Sequence, residues 1–253
     1  MDLSAFGLSG KTVLVTGANT GIGQGIALGI GRAGGKVIGV GRSSMEHTAS
    51  LMAKQGAAFA ELRTDLGSTA AAQAMFEQAW SEHGPIDGLV NNAGIIKRVD
   101  AVDFTEDDWD SVMDVNLKTM FFLCQAIGKR AIETGRQARI VNIASMLSFQ
   151  GGIRVASYTA SKSGVLGITR LLANEWAAKG INVNAVAPGY IETNNTEALR
   201  NDPDRSASIL GRIPAERWGV PSDIGDAVVF LLAPASNYMH GAVIPVDGGW
   251  LAR

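Results

Sequence analysis

Short runs of β-branched and apolar residues alternate along the chain with longer segments whose apolar residues recur at helical spacing. Such alternation is typical of a parallel sheet whose strands are joined by right-handed crossovers. The strand-like runs are residues 12–16, 36–40, 57–63, 88–91, 139–143, 182–187 and 242–246, and the third has the weakest pattern. The helix-like segments include residues 21–33, 70–83, 106–133 and 157–179.

Two of the strand-like runs, Val13-Leu14-Val15 and Ile140-Val141-Asn142-Ile143, are apolar on both faces. A strand needs this pattern when helices cover both sides of its sheet. We therefore predict an α/β fold with a single doubly wound, open parallel sheet of about seven strands. Because the chain has no internal repeat or long linker, residues 1–253 are predicted to form one domain. Sheets of this kind bind ligands beyond the carboxyl ends of their strands, near the reversal in strand order.

The composition narrows the class of protein. The 22 Lys and Arg residues nearly balance the 24 Asp and Glu residues, so the charge favours neither nucleic acid nor an anionic membrane as a partner. A lone cysteine, Cys124, cannot close an internal disulfide. The start, Met1-Asp2-Leu3-Ser4, lacks the pattern of a signal peptide. The longest apolar stretch, residues 227–233, is far shorter than the roughly 20 residues that span a bilayer. We expect a cytoplasmic protein.

Glycine is in excess, with 31 among 253 residues, and several glycines follow the first predicted strand. The run Thr16-Gly17-Ala18-Asn19-Thr20-Gly21-Ile22-Gly23 leads directly into a helical pattern. Glycines there allow a tight turn and let backbone N–H groups approach a pyrophosphate at the helix N-terminus. A plain strand-to-helix turn is the alternative. The position after the first strand favours dinucleotide binding by Gly17, Asn19, Thr20, Gly21, Ile22 and Gly23.

The second predicted strand ends at Val40-Gly41-Arg42-Ser43. An acidic residue at this point accepts hydrogen bonds from the adenosine ribose, whereas an arginine suits a 2′-phosphate. Gly41 stands where the acid is expected, and Arg42 follows it. The sequence therefore favours NADP(H), with NAD(H) as an alternative cofactor and a solvated loop arginine as the alternative role for Arg42.

Two more strand ends carry candidate ligands of the cofactor. Asp65-Leu66 follows the third predicted strand, where a carboxylate can accept a hydrogen bond from the adenine amino group. Asn91-Asn92-Ala93-Gly94 follows the fourth strand, and its asparagines can hold a bend in the backbone. A purely structural role is the alternative for both. We predict that Asp65, Leu66, Asn92, Ala93 and Gly94 contact the cofactor.

A possible acid–base group lies in the second half of the chain. The fifth predicted strand runs into Ser145, and Tyr158 and Lys162 are spaced i, i+4 on a predicted helix, so they share a face. A phenol has a pKa of about 10, and a nearby ammonium favours its ionised form. We expect Tyr158, with a lowered pKa, to move a proton to or from a carbinol oxygen that Ser145 positions. A solvated Tyr–Lys pair is the alternative.

These motifs, in this order, resemble those of the classical short-chain dehydrogenase/reductase family, and the resemblance covers nearly the whole chain. Its members share a Rossmann-type fold. The motifs that carry the resemblance are Thr16-Gly17-x-x-x-Gly21-x-Gly23, Asn91-Asn92-Ala93-Gly94, Asn116, Ser145, Tyr158-x-x-x-Lys162 and Pro188-Gly189.

The resemblance implies an oxidoreductase that uses NAD(P)(H). It makes Tyr158 the catalytic acid or base. It also makes Lys162 the residue that lowers the pKa of Tyr158 and holds the nicotinamide ribose, Ser145 the residue that orients the substrate, and Asn116 the support of a proton-relay water. It also makes the segment after the sixth strand flank the nicotinamide, through Pro188, Gly189, Ile191 and Thr193. A homotetramer is a further expectation from the family.

A narrower resemblance lies in residues 142–154, 187–196 and 246–253, which look like a subgroup of dehydrogenases acting on deoxy-keto sugar acids. The loop between Ser145 and Tyr158 is expected to border the substrate, so Gln150 and Arg154 are candidate substrate residues. A guanidinium binds a carboxylate through two hydrogen bonds. We predict that Arg154 or Arg98 binds the substrate carboxylate, with pairing of Arg154 to a local acid as the alternative.

Other functions stay open at this point. A 3-oxoacyl-carrier-protein reductase or another small-ketone reductase is the alternative within enzymes, and a non-catalytic cofactor-sensing protein is the alternative outside them. No metal site is expected, because His47, His83 and His240 are scattered and lack the spacing of metal ligands.

Overall fold

Seven parallel strands form one sheet in the computed structural model, which describes residues 3–253. The strand order is β3-β2-β1-β4-β5-β6-β7, so the predicted doubly wound α/β fold is confirmed. Met1 and Asp2, on which the expected absence of a signal peptide partly depended, lie outside the described residues. The strands are β1 (Thr12–Thr16), β2 (Lys36–Gly41), β3 (Phe59–Arg63), β4 (Gly88–Asn91), β5 (Ala138–Ile143), β6 (Ile181–Pro188) and β7 (Val243–Val246).

Helices cover both faces of the sheet. On β1, Val13 and Val15 belong to one buried cluster and Leu14 to another, because successive side chains point to opposite faces of a strand. The first cluster includes residues of α1 and α9, and the second includes residues of α3, α5 and α6. The helices are α1 (Gly21–Arg32), α2 (Glu46–Lys54), α3 (Thr69–His83), α4 (Glu106–Met113), α5 (Thr119–Thr134), α6 (Ala156–Trp176), α7 (Glu197–Arg200), α8 (Pro203–Leu210) and α9 (Pro221–Leu232).

The helix predicted over residues 106–133 differs from the structure at its centre. It consists of α4 and α5 joined by one π-helical segment, Asp114–Lys118. A π turn is rare and occurs mostly as a single turn inside an α-helix, and the apolar positions over residues 106–133 did not distinguish it from the helices on either side. The segment carries Asn116 inward, where the side chain is 2% exposed.

Residues 3–253 contain neither a membrane-spanning helix nor a cluster of metal ligands. No helix in this part of the chain is long and apolar enough to cross a membrane. The same residues contain no group of three or more His, Cys, Asp or Glu side chains that could hold a metal ion. Cys124 is a buried free thiol, and burial raises its pKa to about 12.

Candidate active site

A cleft of about 410 Å³ opens at the carboxyl ends of the strands. Its lining includes the segments after β1 and β4, the two strands between which the strand order reverses. Every residue predicted to bind the cofactor lines this cleft. These residues are Gly17, Asn19, Thr20, Gly21, Ile22, Gly23, Arg42, Asp65, Leu66, Asn92, Ala93, Gly94, Tyr158, Lys162, Pro188, Gly189, Ile191 and Thr193.

Three positions in and after the glycine-rich loop that follows β1 favour glycine. Gly17 and Gly21 adopt φ angles of 69° and 55°, which favour glycine. A Cβ on Gly23 would lie 2.0 Å from the Gly17 carbonyl oxygen and 2.5 Å from the Nδ2 atom of Asn92. Thr20 caps α1, and among the described residues its side chain makes no capping hydrogen bond. The first turn of α1 therefore offers its N–H groups to the cleft, and this loop fits a pyrophosphate.

Hydrogen bonds join this loop to the segment after β4. The Thr16 hydroxyl accepts from the backbone N–H groups of Asn92 and Ala93, both at 3.0 Å. The Nδ2 atom of Asn92 donates to the Thr16 carbonyl at 2.9 Å. The two sides of the strand-order reversal are thereby held together, and they border one continuous cleft.

The other end of the same groove lies beyond β2 and β3. Gly41, Arg42 and Ser43 line it on one side, and Asp65, Leu66 and Gly67 on the other. Arg42 is exposed and takes part in no ion pair within residues 3–253. Its guanidinium is therefore available to an anion in the cleft.

Ser145, Tyr158 and Lys162 meet at the far end of the cleft, after β5 and on the first two turns of α6. The Nζ atom of Lys162 lies 5.7 Å from the centre of the Tyr158 ring and donates a 2.6 Å hydrogen bond to the Ile143 carbonyl. Ser145 hydrogen-bonds the Tyr158 side chain. The backbone N–H of Leu147 donates to the Ser145 hydroxyl oxygen at 3.1 Å. Because the oxygen accepts this bond, the O–H of Ser145 points away from Leu147 and can donate to another group.

Burial dominates the pKa values of this group. It raises the pKa of Tyr158, and the hydrogen bond to Ser145 and the charge of Arg98 only partly offset this effect. The lowered pKa was predicted for Tyr158 beside two cations, the Lys162 ammonium and the nicotinamide of an oxidised cofactor, and it stays a prediction for the cofactor-bound protein. Burial lowers the pKa of Lys162 to about 8. An added positive charge beside the phenol is therefore needed for Tyr158 to ionise near neutral pH.

Asn116 lies behind the cleft and does not line it. Its Oδ1 atom accepts from the Ile95 N–H at 2.8 Å, and its Nδ2 atom donates to the Ile95 carbonyl at 3.0 Å. Nδ2 also lies 3.3 Å from the Ser161 hydroxyl on α6. The amide thus joins the π-helical segment, the segment after β4 and the helix that carries Tyr158.

The three substrate candidates have different surroundings. Gln150 and Arg154 lie outside the lining of the cleft. The Gln150 side chain accepts a 3.3 Å hydrogen bond from Trp250, and Arg154 pairs with Asp100 at 3.1 Å. Arg98 also lies outside the lining, but its positive charge acts to lower the pKa of Tyr158.

Reasoning from the sequence missed part of the lining. Asn194, Asn195 and Thr196 border the cleft and continue the Pro188–Thr193 segment. The Arg98 guanidinium donates a 3.1 Å hydrogen bond to the Asn195 carbonyl. Their position next to Thr193, beyond the carboxyl end of β6, was the signal available in the sequence.

Comparisons with known proteins agree with this geometry. A family model described as enoyl-(acyl carrier protein) reductase matches residues 17–251. The chain is 55% identical over 253 residues, all of both chains, to 2-dehydro-3-deoxy-D-gluconate 5-dehydrogenase of Escherichia coli. It is 50% identical to the Bacillus subtilis protein of the same name, over 98% of each chain.

Solved structures show the same relationship. A crystal structure from Agrobacterium tumefaciens, provisionally described as a 2-deoxy-D-gluconate 3-dehydrogenase with bound NADP, superposes with a TM-score of 0.94 at 57% identity. The match covers 98% of this chain and 99% of that one. The resemblance seen in the sequence is confirmed, and the chain belongs to the short-chain dehydrogenase/reductase family.

Proposed function

We propose that this protein is an NADP(H)-preferring dehydrogenase that interconverts a secondary alcohol and a ketone on a deoxy-keto sugar acid. The activity is of the 2-dehydro-3-deoxy-D-gluconate 5-dehydrogenase type, also named 2-deoxy-D-gluconate 3-dehydrogenase. Full-length identity of 50–55% to enzymes with the first name supports it. The observation that carries it is the meeting of Ser145, Tyr158 and Lys162 at one end of a cleft whose middle part is bordered by a loop that fits a pyrophosphate.

The protein's part in the reaction is to move one proton and hold one oxygen. A bound NADP⁺ supplies a hydride acceptor at the carbon and a positive charge near the phenol. Tyr158 takes the carbinol proton in oxidation and returns it in reduction. The Ser145 hydroxyl donates to the same oxygen. Lys162, with a pKa of about 8, is close enough to the Tyr158 ring to stabilise the phenolate.

The preference for NADP(H) is assigned to Arg42. Its exposed guanidinium lines the end of the cleft where the adenosine ribose is expected, and Gly41 leaves no carboxylate to repel a 2′-phosphate. A charged hydrogen bond of this kind contributes about 1.5–3 kcal/mol. NADP bound in the Agrobacterium tumefaciens structure agrees with the assignment.

Of the two arginines predicted to bind the substrate carboxylate, Arg98 is the better supported. Its charge acts on Tyr158, and it is bonded to Asn195 on the cleft wall. Arg154 already pairs with Asp100 outside the cleft. We therefore propose that Arg98, and not Arg154, binds the substrate carboxylate.

A panel of keto sugar acids and acetoacetyl thioesters, assayed with NADH and NADPH, tests the proposal. We expect kcat/KM to be highest for a deoxy-keto sugar acid with NADPH. Tyr158→Phe should abolish turnover while cofactor binding persists, and Tyr238→Phe, at a side chain that is 99% exposed, serves as the matched control. Preference for acetoacetyl thioesters would identify a carrier-protein reductase instead. Cofactor binding without any turnover by the wild type would identify a cofactor sensor.

We also propose a homotetramer. The proposal follows the family expectation that the two long helices pack subunits together, and on these helices Ile132 of α5 and Leu171 of α6 are 42% and 46% exposed. Light scattering after size exclusion tests the assembly, and a monomer would refute it. The cytoplasmic location stays a prediction from the sequence, which cell fractionation can test.

A further inference from the structure

The segment that carries Ser145 is fastened to α6 by a second serine. Ser145 is the N-cap of a 3₁₀ turn, Met146–Ser148. The Ser148 hydroxyl lies 3.3 Å from the backbone N–H of Ser145, from which it accepts a hydrogen bond. The same hydroxyl donates a 2.7 Å hydrogen bond to the backbone carbonyl of Lys162. One oxygen atom therefore joins the backbones of two residues from opposite sides of the reaction centre.

This link has a direct geometric consequence. Ser145 reaches the reaction centre from the end of β5, whereas Tyr158 and Lys162 reach it from α6. The Ser145 hydroxyl must stay within hydrogen-bond distance of the Tyr158 hydroxyl for both to hold one substrate oxygen. The capping bonds of the 3₁₀ turn fix Ser145 relative to Ser148, and the bond to Lys162 fixes Ser148 relative to α6.

We propose that Ser148 is a positioning residue that holds the Ser145 hydroxyl in register with Tyr158 and Lys162. Ser148 does not line the cleft, so it acts through Ser145 and not on the substrate. The proposal rests on the proposed function, because it concerns the same proton transfer.

The groups near Tyr158 determine how its pKa should change when the Ser148 hydroxyl is lost. Lys162 lies one helical turn along α6, and Arg98 acts from the segment after β4. Arg98 is bonded to Asn195, and the Nζ atom of Lys162 is held by the Ile143 carbonyl, although the backbone carbonyl of Lys162 accepts from Ser148. Neither charged group is therefore positioned by the 3₁₀ turn. The hydrogen bond from Ser145, which lowers the pKa of Tyr158, does depend on it. Loss of the Ser148 hydroxyl should therefore raise the pKa of Tyr158 through Ser145 alone.

The test compares Ser148→Ala with two other variants of the full chain. In Ser148→Ala we expect kcat to fall roughly tenfold, with little change in the Kd for NADPH. Ser148→Thr keeps the hydroxyl and should restore kcat. Ser68→Ala is the matched control, because Ser68 also caps a helix, α3, by accepting from a backbone N–H, and it should lower thermal stability without changing kcat.

A titration supplies a second measurement that needs no substrate. The chain has three tyrosines. Each protein is therefore titrated beside the same protein with Tyr158→Phe added, and the difference in tyrosinate absorbance gives the titration of Tyr158 alone. We expect its pKa to rise by about half a pH unit in Ser148→Ala. If the alanine variant does not fold, Ser148→Cys keeps the size of the side chain with a weaker donor.

The outcomes separate the two proposals. An unchanged Tyr158 titration, together with kcat within twofold of wild type, would show that Ser148 is only structural and overturn this inference. If the wild type prefers acetoacetyl thioesters, the proposed substrate is wrong, and the same variants are compared on the thioester. A tenfold fall in kcat there, with the shifted titration, still supports Ser148 as a positioning residue.

Discussion

Replacing Gly41 by aspartate should change the cofactor preference from NADP(H) toward NAD(H). The backbone at Gly41 does not have a positive φ, and a Cβ placed on it would find its nearest neighbour, the Asn19 Oδ1 atom, at 3.7 Å. This is an ordinary van der Waals distance, so a Cβ atom at this position is tolerated without strain. The new carboxylate would stand at the end of β2, where it can accept hydrogen bonds from the ribose hydroxyls.

The magnitude follows from Coulomb's law. Two unit charges about 4 Å apart interact with about 4 kcal/mol at an effective dielectric constant of 20. Exposure to solvent and salt reduces this value, to about 2 kcal/mol. We therefore expect the ratio of kcat/KM for NADPH to kcat/KM for NADH to fall roughly 30-fold in Gly41→Asp.

Steady-state kinetics with both cofactors measure the ratio, and two variants separate charge from size. Gly41→Ala adds the Cβ alone, and Gly41→Asn adds a neutral side chain of the same shape as aspartate. Both should keep the ratio within about threefold of the wild-type value. The reasoning fails if Gly41→Asp leaves the ratio unchanged, or if Gly41→Ala lowers it as much as the aspartate does.

Three further outcomes follow from the site. The folded-state pKa of Lys162 is about 8, whereas its ordinary value is 10.5. Between these two pH values the unfolded chain binds more protons than the folded chain, so stability increases with pH. The free energy of unfolding of the wild type, relative to that of Lys162→Met, should therefore rise by about 2–3 kcal/mol between pH 8 and 10. Urea unfolding of both proteins measures this difference, and a constant difference contradicts it. Gly23→Ala should weaken NADPH binding at least about tenfold and lower the Tm, because its Cβ would lie 2.0 Å from the Gly17 carbonyl oxygen. Calorimetric titration checks this, and an unchanged Kd argues against the steric fit. Arg98→Met should raise KM for a keto sugar acid about tenfold or more, whereas Arg154→Met should leave it unchanged. An increased KM in Arg154→Met with an unchanged KM in Arg98→Met would show that Arg154, and not Arg98, binds the substrate carboxylate.

The strands could be predicted to within two residues. Nearly every residue of β1, β2, β4, β5 and β6 is buried, which favours short runs of mostly apolar residues. The edge strands β3 and β7 are only partly buried, and the third run had the weakest pattern. The cofactor residues could be predicted because they follow strands, and the carboxyl ends of parallel strands lie at one edge of a sheet. Their roles as ligands stay predictions.

Features that depend on packing could not be predicted in the same way. The π-helical turn at Asn116 could not be distinguished from an α-helical turn by the spacing of apolar residues. The pKa of Tyr158 depends on how deeply the phenol is buried, and a single sequence does not contain that depth. The proposal that Arg98, and not Arg154, binds the substrate carboxylate rests partly on Asp100, which is distant in sequence from Arg154 and pairs with it in the folded chain.

The order of the strands divides the cleft into two halves of separate origin. The segments after β2 and β3 supply the half that contains Arg42 and Asp65, and the segments after β5 and β6 supply the half that contains Ser145 and Thr193. The loop after β1 and the segment after β4 meet between them. Coenzyme choice and substrate choice can consequently diverge independently, and a chimaera joined at β4 could combine the nucleotide half of one relative with the reacting half of another.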